Sequence, residues 1–379
     1  RLHLSLVVLA AIVCRRTIEI ASTHFPSSLQ SLTRQHIPLT QISYVPRSRG
    51  MKFVVTGASG HLGANVVRAL VSAGEGVRAV DIRPGSALAG IAAEFVRGDV
   101  LDPATLKNAF AGAEFVLHLA AKISIAGDPD GSVRRVNVGG VRNVAEAALE
   151  AGVRRMVHCG SLHAYDVGAT RVPIRENGLR ATDPALPAYD RSKAEGESEL
   201  RRVVDRGLDA VIVNPSGMFG PVDPEPSRMG RVLLAMFRGR MPISVTGAFD
   251  WVDVRDVATA LISAVERGRT GENYLIGGHR ASVTELGRLA AEVSGRRPPR
   301  VAVPLGPVRV AAGAAVRIAG PKRAGRLLLT PESLHALATD PVVDYSKAAA
   351  ELGYRARPLA ETVADLYASF IDDGRLRAA

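Results

Sequence analysis

The sequence predicts an α/β protein with a doubly wound parallel sheet, followed by a smaller, mostly helical lobe. Two observations carry this prediction. Short apolar runs alternate with helical stretches, and such alternation is typical of parallel sheets; the runs lie at 52–56, 77–81, 94–100, 115–121 and 156–161. A glycine-rich turn joins the first run to the first helical stretch. The length of 379 residues is enough for two lobes.

The composition excludes several classes of protein. Hydrophobic residues make up 47% and charged residues 22% of the chain, as in globular proteins. The net charge is +11, but no basic run contains interleaved aromatic residues, so we expect no nucleic-acid partner. Cys14 and Cys159 form neither a metal-binding nor a disulfide spacing. We therefore expect no metal site and a cytoplasmic location.

Residues 1–50 differ from the rest of the chain. The apolar run at 4–13 is too short to span a bilayer, and no clear period follows it. Met51 then begins the first predicted strand. We interpret residues 1–50 as a disordered or non-native extension, with a targeting or anchoring segment as the alternative. Stable membrane insertion is not expected.

The glycine-rich turn predicts a dinucleotide-binding Rossmann domain. Gly57 allows a tight turn, Gly60 lets the backbone approach a pyrophosphate, and Gly63 lets the helix pack closely on the strand. The free amides of the helix N-terminus favour an anion. We expect the cofactor to contact the three glycines and also Ser59, His61 and Leu62.

The acidic residue at the end of the second predicted strand bears on whether the cofactor is NAD or NADP. Asp81 follows Gly63 by eighteen residues, where a carboxylate accepts hydrogen bonds from ribose hydroxyls. The same carboxylate repels a 2′-phosphate, which favours NAD over NADP. Arg83 leaves NADP open, because a guanidinium binds phosphate well.

Three residues form a candidate catalytic set. Ser161 ends the fifth predicted strand, and Tyr189 and Lys193 lie on one face of a predicted helix that extends to about Arg206. A nearby ammonium group favours the phenolate and so lowers the pKa of a tyrosine toward working pH. Ser161 is expected to hydrogen-bond the substrate oxygen.

These motifs together resemble the extended short-chain dehydrogenase/reductases, also called the NAD-dependent epimerase/dehydratase family. The resemblance covers about residues 51–373, and it rests on the segments 56–63, 98–100, 118–121, 137–140, 215–221 and 251–258 with Ser161, Tyr189 and Lys193. Within the family, the chain is most similar to dihydroflavonol 4-reductase-like and hopanoid-associated sugar epimerase-like members. That similarity is carried by residues 239–245, 249–254 and 344–354.

The resemblance implies a set of roles for individual residues. Ser161, Tyr189 and Lys193 would be the catalytic triad, and Lys193 would also touch the nicotinamide ribose. It further implies homodimerisation through the helices around Tyr189 and residues 132–150. The implied cofactor contacts are Asp99 and Val100 at the adenine and Pro215 and Ser216 at the nicotinamide. The small pair Ala120-Ala121 would let a strand end lie against the cofactor.

Two departures from the family pattern bear on the substrate. Nucleotide-sugar epimerases of the family usually have Arg where Phe249 stands, and many members have Arg where Asn214 stands. Both differences favour hydride transfer between a nicotinamide and a secondary alcohol or ketone over sugar epimerisation, which remains the alternative. A non-catalytic NAD-sensing protein would need a broken triad, and this triad is whole.

The predicted domains follow from these motifs. We expect the NAD-binding domain at 51–221 and 250–278, and a substrate-binding lobe at 222–249 and 279–379, with His163 and Met218 facing a small-molecule substrate. The lobe is strongly basic, which indicates either a solvated face or an anionic substrate. The Ala/Val-rich stretch at 308–319 is short, so we expect a core helix rather than a membrane-facing one.

Overall fold

The computed structural model describes residues 51–169, 173–320 and 327–377. The predicted extension at 1–50 lies outside the described residues. The strands are β1 (Met51–Thr56), β2 (Gly76–Asp81), β3 (Glu94–Arg97), β4 (Phe115–His118), β5 (Arg155–Cys159), β6 (Ala210–Pro215), β7 (Gly217–Phe219), β8 (Ile243–Val245), β9 (Ala248–Asp253), β10 (Asn273–Ile276), β11 (His279–Ser282) and β12 (Val301–Val303).

The helices alternate with the strands and then dominate the C-terminal third. They are α1 (His61–Ser72), α2 (Pro103–Phe110), α3 (Val141–Glu150), α4 (Ala188–Val204), α5 (Arg228–Phe237), α6 (Val254–Arg267), α7 (Val283–Ser294), α8 (Leu305–Ala319), α9 (Pro331–Thr339), α10 (Ser346–Leu352) and α11 (Leu359–Asp372). Helical turns at Ser132–Arg134 and Arg135–Gly140 lead into α3, and the second of them is π-helical. None of the described helices is long and apolar enough to cross a membrane.

The predicted doubly wound parallel sheet is confirmed. Seven strands pair in the order β10–β6–β5–β4–β1–β2–β3, and all six pairings are parallel. The strand order reverses between β1 and β4, because β2 and β3 lie on one side of β1 while β4, β5 and β6 lie on the other. Ligands of such sheets bind in the crevice outside the carboxyl ends of the strands at this point.

Apolar clusters cover both faces of the sheet. Helices α1 and α6 pack on one face, around Val66, Leu70 and Leu261. Helices α2, α3 and α4 pack on the other face, around Leu106 and Leu200. A third cluster lies beneath α5, α7, α9 and α11 and forms the core of the mostly helical C-terminal region. The carboxyl edge of the sheet therefore faces this region, and a site can form between them.

The structure contradicts one expectation about the C-terminal region. The stretch at 308–319 lies in α8, yet Ala312 is the only buried residue of that helix. Val310 is 77% exposed and Ile318 is 87% exposed. Helix α8 is thus a surface helix and not a core helix. Its composition misled the prediction because a run of Ala and Val lacks the polar positions that usually mark a solvent face.

A buried polar network fixes α4 against the sheet. The carboxylate of Glu197, in α4, accepts hydrogen bonds from Asn214 Nδ2 at 2.6 Å and from Asn273 Nδ2 at 2.8 Å, and it pairs with Arg180. Asn214 also donates to the carbonyl of Ser161 at 3.1 Å. A Cβ at Gly160 would lie 2.4 Å from Asn214 Nδ2, so this position requires glycine.

Replacing Glu197 should destabilise the protein strongly. Glu197→Ala leaves a guanidinium and two buried amides without their acceptor, which costs about 3–5 kcal/mol of unfolding free energy. Glu199→Ala, on the same helix, is the control. It removes a pair with the exposed Arg202 and should cost about 1 kcal/mol or less. Urea unfolding measures both, and equal losses would contradict the role given to Glu197.

Two stacked histidines make the fold sensitive to acid. His118 and His158 face each other across β4 and β5 with ring centroids 5.1 Å apart, and Thr56 Oγ1 lies 2.7 Å from His118 Nδ1. Burial, and secondly the charge of Lys193, lowers the pKa of His118 from 6.5 to about 3. Burial also lowers the pKa of His158. Both rings are therefore neutral in the folded protein at neutral pH.

The unfolding free energy should fall as the pH is lowered from about 6.5 toward 3. The unfolded chain binds a proton at His118 near pH 6.5, whereas the folded chain binds it only near pH 3. Each pH unit in this window therefore costs about 1.4 kcal/mol for this residue. His118→Asn should flatten the dependence by that amount. Parallel curves for wild type and His118→Asn would overturn this assignment.

Candidate active site

The three glycines of the glycine-rich turn differ in how much space surrounds them. Gly57 has a φ of +70°, and a Cβ there would lie 2.6 Å from the amide nitrogen of Ala120. A Cβ at Gly63 would lie 2.1 Å from the carbonyl oxygen of Gly57. At Gly60 the nearest atom to a Cβ, the same oxygen, is 3.3 Å away. The first and third glycines are thus required for folding, whereas the second leaves space in front of the helix.

The front of α1 is suited to an anion. Gly60 is its N-cap, and no side chain caps the helix. The amides of the first turn therefore remain available, and the helix dipole favours negative charge there. Among the described residues, no group of three or more His, Cys, Asp or Glu side chains is arranged to hold a metal. The turn itself can hold the pyrophosphate of a dinucleotide.

Asp81 lies beside this turn and shapes it. Its Oδ2 accepts a hydrogen bond from the amide of Ser59 at 3.0 Å, and its Oδ1 accepts from Ile82 at 2.8 Å. The hydroxyl of Ser59 donates to the carbonyl of Arg83 at 2.8 Å. Each carboxylate oxygen keeps a lone pair for a ribose hydroxyl. The Arg83 side chain is exposed.

The other predicted cofactor residues lie along the same carboxyl edge. Asp99 and Val100 follow β3, Ala120 and Ala121 follow β4, and Pro215 and Ser216 lie at the end of β6. Leu62 and Val100 are each only 8% exposed, so their side chains belong to the core and their backbone is left to face a ligand.

His61 has a partner inside the protein. Its Nε2 lies 2.9 Å from the carbonyl oxygen of Gly220, and Asn65, one turn later, donates to the carbonyl of Val222 at 3.2 Å. These contacts tie α1 to the segment that follows β7. Sequence reasoning missed this role, because 159 residues separate His61 from Gly220.

Ser161, Tyr189 and Lys193 meet at the end of β5. Ser161 caps a short 3₁₀ helix (Leu162–Ala164) by accepting from the amide of His163 at 3.2 Å, and its hydroxyl acts on the Tyr189 phenol by lowering the pKa of that group. Tyr189 lies in the first turn of α4. Lys193, one turn later, is 4% exposed and donates to the carbonyl of Cys159 at 3.1 Å. The predicted triad is therefore brought together by one strand end and one helix.

The electrostatics of the triad differ from the expectation of a lowered tyrosine pKa. Burial raises the pKa of Tyr189 above its ordinary value, and the hydrogen bond with Ser161 only partly offsets this. Burial lowers the pKa of Lys193. Sequence reasoning considered the ammonium group but not desolvation, which opposes both charged forms. The protein alone therefore keeps the phenol protonated.

His163 stands over Tyr189 in an arrangement that the sequence did not predict. Its ring meets that of Tyr189 edge-on at 5.7 Å and stacks on Phe249 at 5.7 Å with an interplanar angle of 15°. His163 Nδ1 lies 3.1 Å from Oδ1 of Asp190, which is itself 5% exposed. Asp190 was missed because its separation from His163 in the chain matches no motif. Met218, in β7, is half-buried and pairs in register with Val252 of β9, while the next residue, Phe219, is fully buried.

Asn137 has a structural role. Its Oδ1 accepts from the amide of Lys122 at 2.8 Å, while its Nδ2 donates to the carbonyl of Lys122 and to Ser192 Oγ. A Cβ at Gly196 would lie 2.2 Å from the Asn137 carbonyl oxygen. The π-helical turn at Arg135–Gly140 is thereby held tightly against α4, and the segment after β4 is fixed beside the triad.

The fold and this site define a dinucleotide-dependent α/β enzyme with a Ser-Tyr-Lys set. Residues 53–277 match the model of the NAD dependent epimerase/dehydratase family. The chain belongs to this family, and the predictions of the family, of NAD-dependent enzyme character and of NAD as the cofactor are confirmed.

Individual relatives carry different names. Sterol demethylase protein B of Methylococcus capsulatus is 39% identical over 67% of this chain and 78% of its own length. A putative dihydroflavonol 4-reductase of Synechocystis is 31% identical over 86% of this chain and 96% of its own. The structure of MoeE5 in complex with UDP-glucose and NAD is similar with a TM-score of 0.66 and 26% identity, covering 85% of this chain and 99% of that one.

The difference between the glycines can be tested directly. Gly60→Ala should keep the unfolding free energy within about 1 kcal/mol of wild type, because its φ of −75° suits alanine. It should weaken NADH binding at least tenfold, since a methyl group would then stand before the helix N-terminus. Gly63→Ala is the matched control and should destabilise the fold by about 1–3 kcal/mol. Fluorescence titration with NADH and urea unfolding separate the two effects. Wild-type affinity in Gly60→Ala would exclude the turn as the pyrophosphate site.

Proposed function

We propose that this protein is an NAD-dependent oxidoreductase that interconverts a secondary alcohol and a ketone on an apolar substrate. The observation that carries the proposal is the meeting of Ser161, Tyr189 and Lys193 at the end of β5, beside the crevice where the strand order reverses. Bound NAD supplies the hydride acceptor or donor in that crevice.

Residues of the chain would carry out the proton transfer and hold the substrate oxygen. Tyr189 Oη moves the proton of the substrate hydroxyl, and Ser161 Oγ holds the substrate oxygen within reach of it. Lys193, one helical turn after Tyr189 and 4% exposed, is assigned the task of favouring the phenolate through its positive charge. The positive nicotinamide adds to that charge. Because burial alone raises the pKa of Tyr189, the deprotonated phenol depends on these two cations.

The cofactor residues have separate roles in this proposal. The turn at Gly57, Gly60 and Gly63 holds the pyrophosphate, and Asp81 holds the adenosine ribose and favours NAD over NADP. Backbone and side-chain groups along the rest of the edge complete the site: Ser59, Leu62, Arg83, Asp99, Val100, Ala120, Ala121, Pro215 and Ser216. His61 contributes chiefly by holding α1 to Gly220.

An apolar substrate is supported by what surrounds His163. Phe249, 4% exposed, stacks on that ring and also lies against Trp251 at 5.5 Å. At position 249, an aromatic side chain therefore stands where the family's nucleotide-sugar epimerases usually have an arginine that binds the diphosphate. His163 offers a polar contact to one substrate hydroxyl. Met218, the other predicted substrate contact, packs against the cluster that contains Val252. The name of the Methylococcus relative, a sterol demethylase protein, agrees with an apolar alcohol.

Sugar epimerisation remains the second candidate. It is favoured by the family description and by the bound UDP-glucose of MoeE5. The same triad would oxidise the substrate and return the hydride to the other face, with no net use of NAD. The division into domains at 222 and 250, the homodimer through α4 and residues 132–150, and the cytoplasmic location also stay predictions.

The decisive measurement is net turnover of cofactor. When the full chain is given NAD and a hydroxysterol or another apolar secondary alcohol, NAD should be reduced, and the NADH formed is followed by its absorbance at 340 nm. The protein should not interconvert UDP-glucose and UDP-galactose. Tyr189→Phe should lower kcat about 100-fold or more while NADH affinity stays within about twofold of wild type. Tyr367→Phe, in α11, is the control and should keep full activity.

Two results would reject the proposal. Epimerisation of the UDP-sugar without NADH accumulation would establish the second candidate instead. Activity in Tyr189→Phe close to that of wild type would show that Tyr189 is not the acid/base.

A further inference from the structure

Helix α8 places an apolar stripe on the surface. Pro307, Val310, Ala314 and Ile318 are all exposed, and they are spaced by three, four and four residues, so they lie along one side of the helix. The opposite side carries Ala312 and the half-buried Val308, which pack toward the C-terminal core. Val301 and Ile243, paired across β12 and β8 just before α8, are also exposed.

Along the chain, the charged residues just before and within α8 are all of one sign. No acidic residue occurs between Glu292 and Glu332. The described arginines of this stretch are exposed, and none of them makes an ion pair or side-chain hydrogen bond within the described part of the chain; they are Arg296, Arg297, Arg300, Arg309 and Arg317. Several surface arginines elsewhere, among them Arg134, Arg154 and Arg206, are instead each paired with a carboxylate.

The stripe is connected to the mouth of the active site. Helix α9 packs against α8, and at its N-terminus Thr330 donates to the carbonyl of Ile125 at 2.6 Å. Ile125 belongs to the segment that leads away from Ala120 and Ala121 at the carboxyl end of β4. Ile123, in the same segment, is 63% exposed. Apolar surface thus occurs both on α8 and on the segment beside the cofactor crevice.

We propose that the α8 surface, defined as Pro307, Val310, Ala314 and Ile318 with the five exposed arginines, docks on an anionic lipid bilayer. In this arrangement α8 lies in the plane of the membrane interface, with its apolar stripe among the acyl chains and the guanidinium groups at the lipid phosphates. Interfacial helices combine an apolar face with cationic residues in this way. Nothing in the docking requires a helix that spans the bilayer.

Charge complementarity favours a bilayer over a second copy of the chain. Two α8 surfaces facing each other would bring two sets of unpaired arginines together, and like charges oppose such contact. An anionic bilayer supplies a partner for both parts of the surface, since its phosphates meet the arginines and its acyl chains meet Val310 and Ile318. The attraction also falls with salt, because the arginines act over about one Debye length.

Vesicle co-sedimentation of the full chain tests the proposal. The probes are vesicles of phosphatidylcholine with 30% phosphatidylglycerol, and vesicles of phosphatidylcholine alone. We expect binding to the anionic vesicles that is at least tenfold stronger than to the neutral ones and that weakens as salt is raised. The double variant Val310→Glu, Ile318→Glu and the double variant Arg309→Gln, Arg317→Gln should each reduce binding at least fivefold.

The controls keep the test independent of folding and of catalysis. Leu179→Glu changes another apolar residue, 65% exposed, outside the α8 surface, and should bind vesicles as wild type does. All variants should keep the wild-type thermal midpoint and NADH affinity, so a failure of the proposed chemistry leaves this result unaffected. Equal vesicle binding by wild type and both double variants would overturn the proposal. So would a wild-type dimer in solution that the Val310, Ile318 variant converts to a monomer, because the stripe would then be the contact between two copies.

Discussion

The buried carboxylate of Glu197 is the constraint on which the rest of the site depends. A charged group in the interior is tolerated only when it is paired and hydrogen-bonded, and Glu197 meets this demand with Arg180, Asn214 and Asn273. These partners come from a loop, from β6 and from β10, so one residue fixes α4 against three other parts of the fold. Tyr189 and Lys193 are placed by that helix, and the residue before Ser161 must be glycine to make room for the same network.

The Glu197 network and the glycine turn share one feature at the carboxyl edge of the sheet. In both, backbone is brought so close to other groups that a Cβ cannot fit, as at Gly57 beside Ala120 and at Gly160 beside Asn214. Gly60 is different, because the protein leaves space there. The packing around the turn holds Gly60 in front of the N-terminus of α1 with free space beside it. An anion can therefore approach the first amides of the helix, which no side chain caps.

Desolvation sets the electrostatic character of the interior. It holds His118 and His158 neutral, raises the pKa of Tyr189 and lowers that of Lys193. A phenol that the protein keeps protonated becomes a base only when positive charge is added next to it. In the reaction that we propose, this couples acid/base chemistry at Tyr189 to the oxidised cofactor. The surface of α8 shows the opposite case, since its arginines are exposed to water and have no ion-pair partner within the described residues.

The sequence by itself determined the parallel sheet, the glycine turn, the strand-end acid Asp81 and the Ser161, Tyr189 and Lys193 set, because each depends on short spacings and on alternating apolar runs. It did not determine which of the three glycines the fold needs, the contact of His163 with Asp190, or the effect of burial on the pKa of Tyr189. It also predicted α8 as a core helix. Only the tertiary structure decided these points, since they depend on groups distant in the chain and on exclusion of water, neither of which a local pattern records.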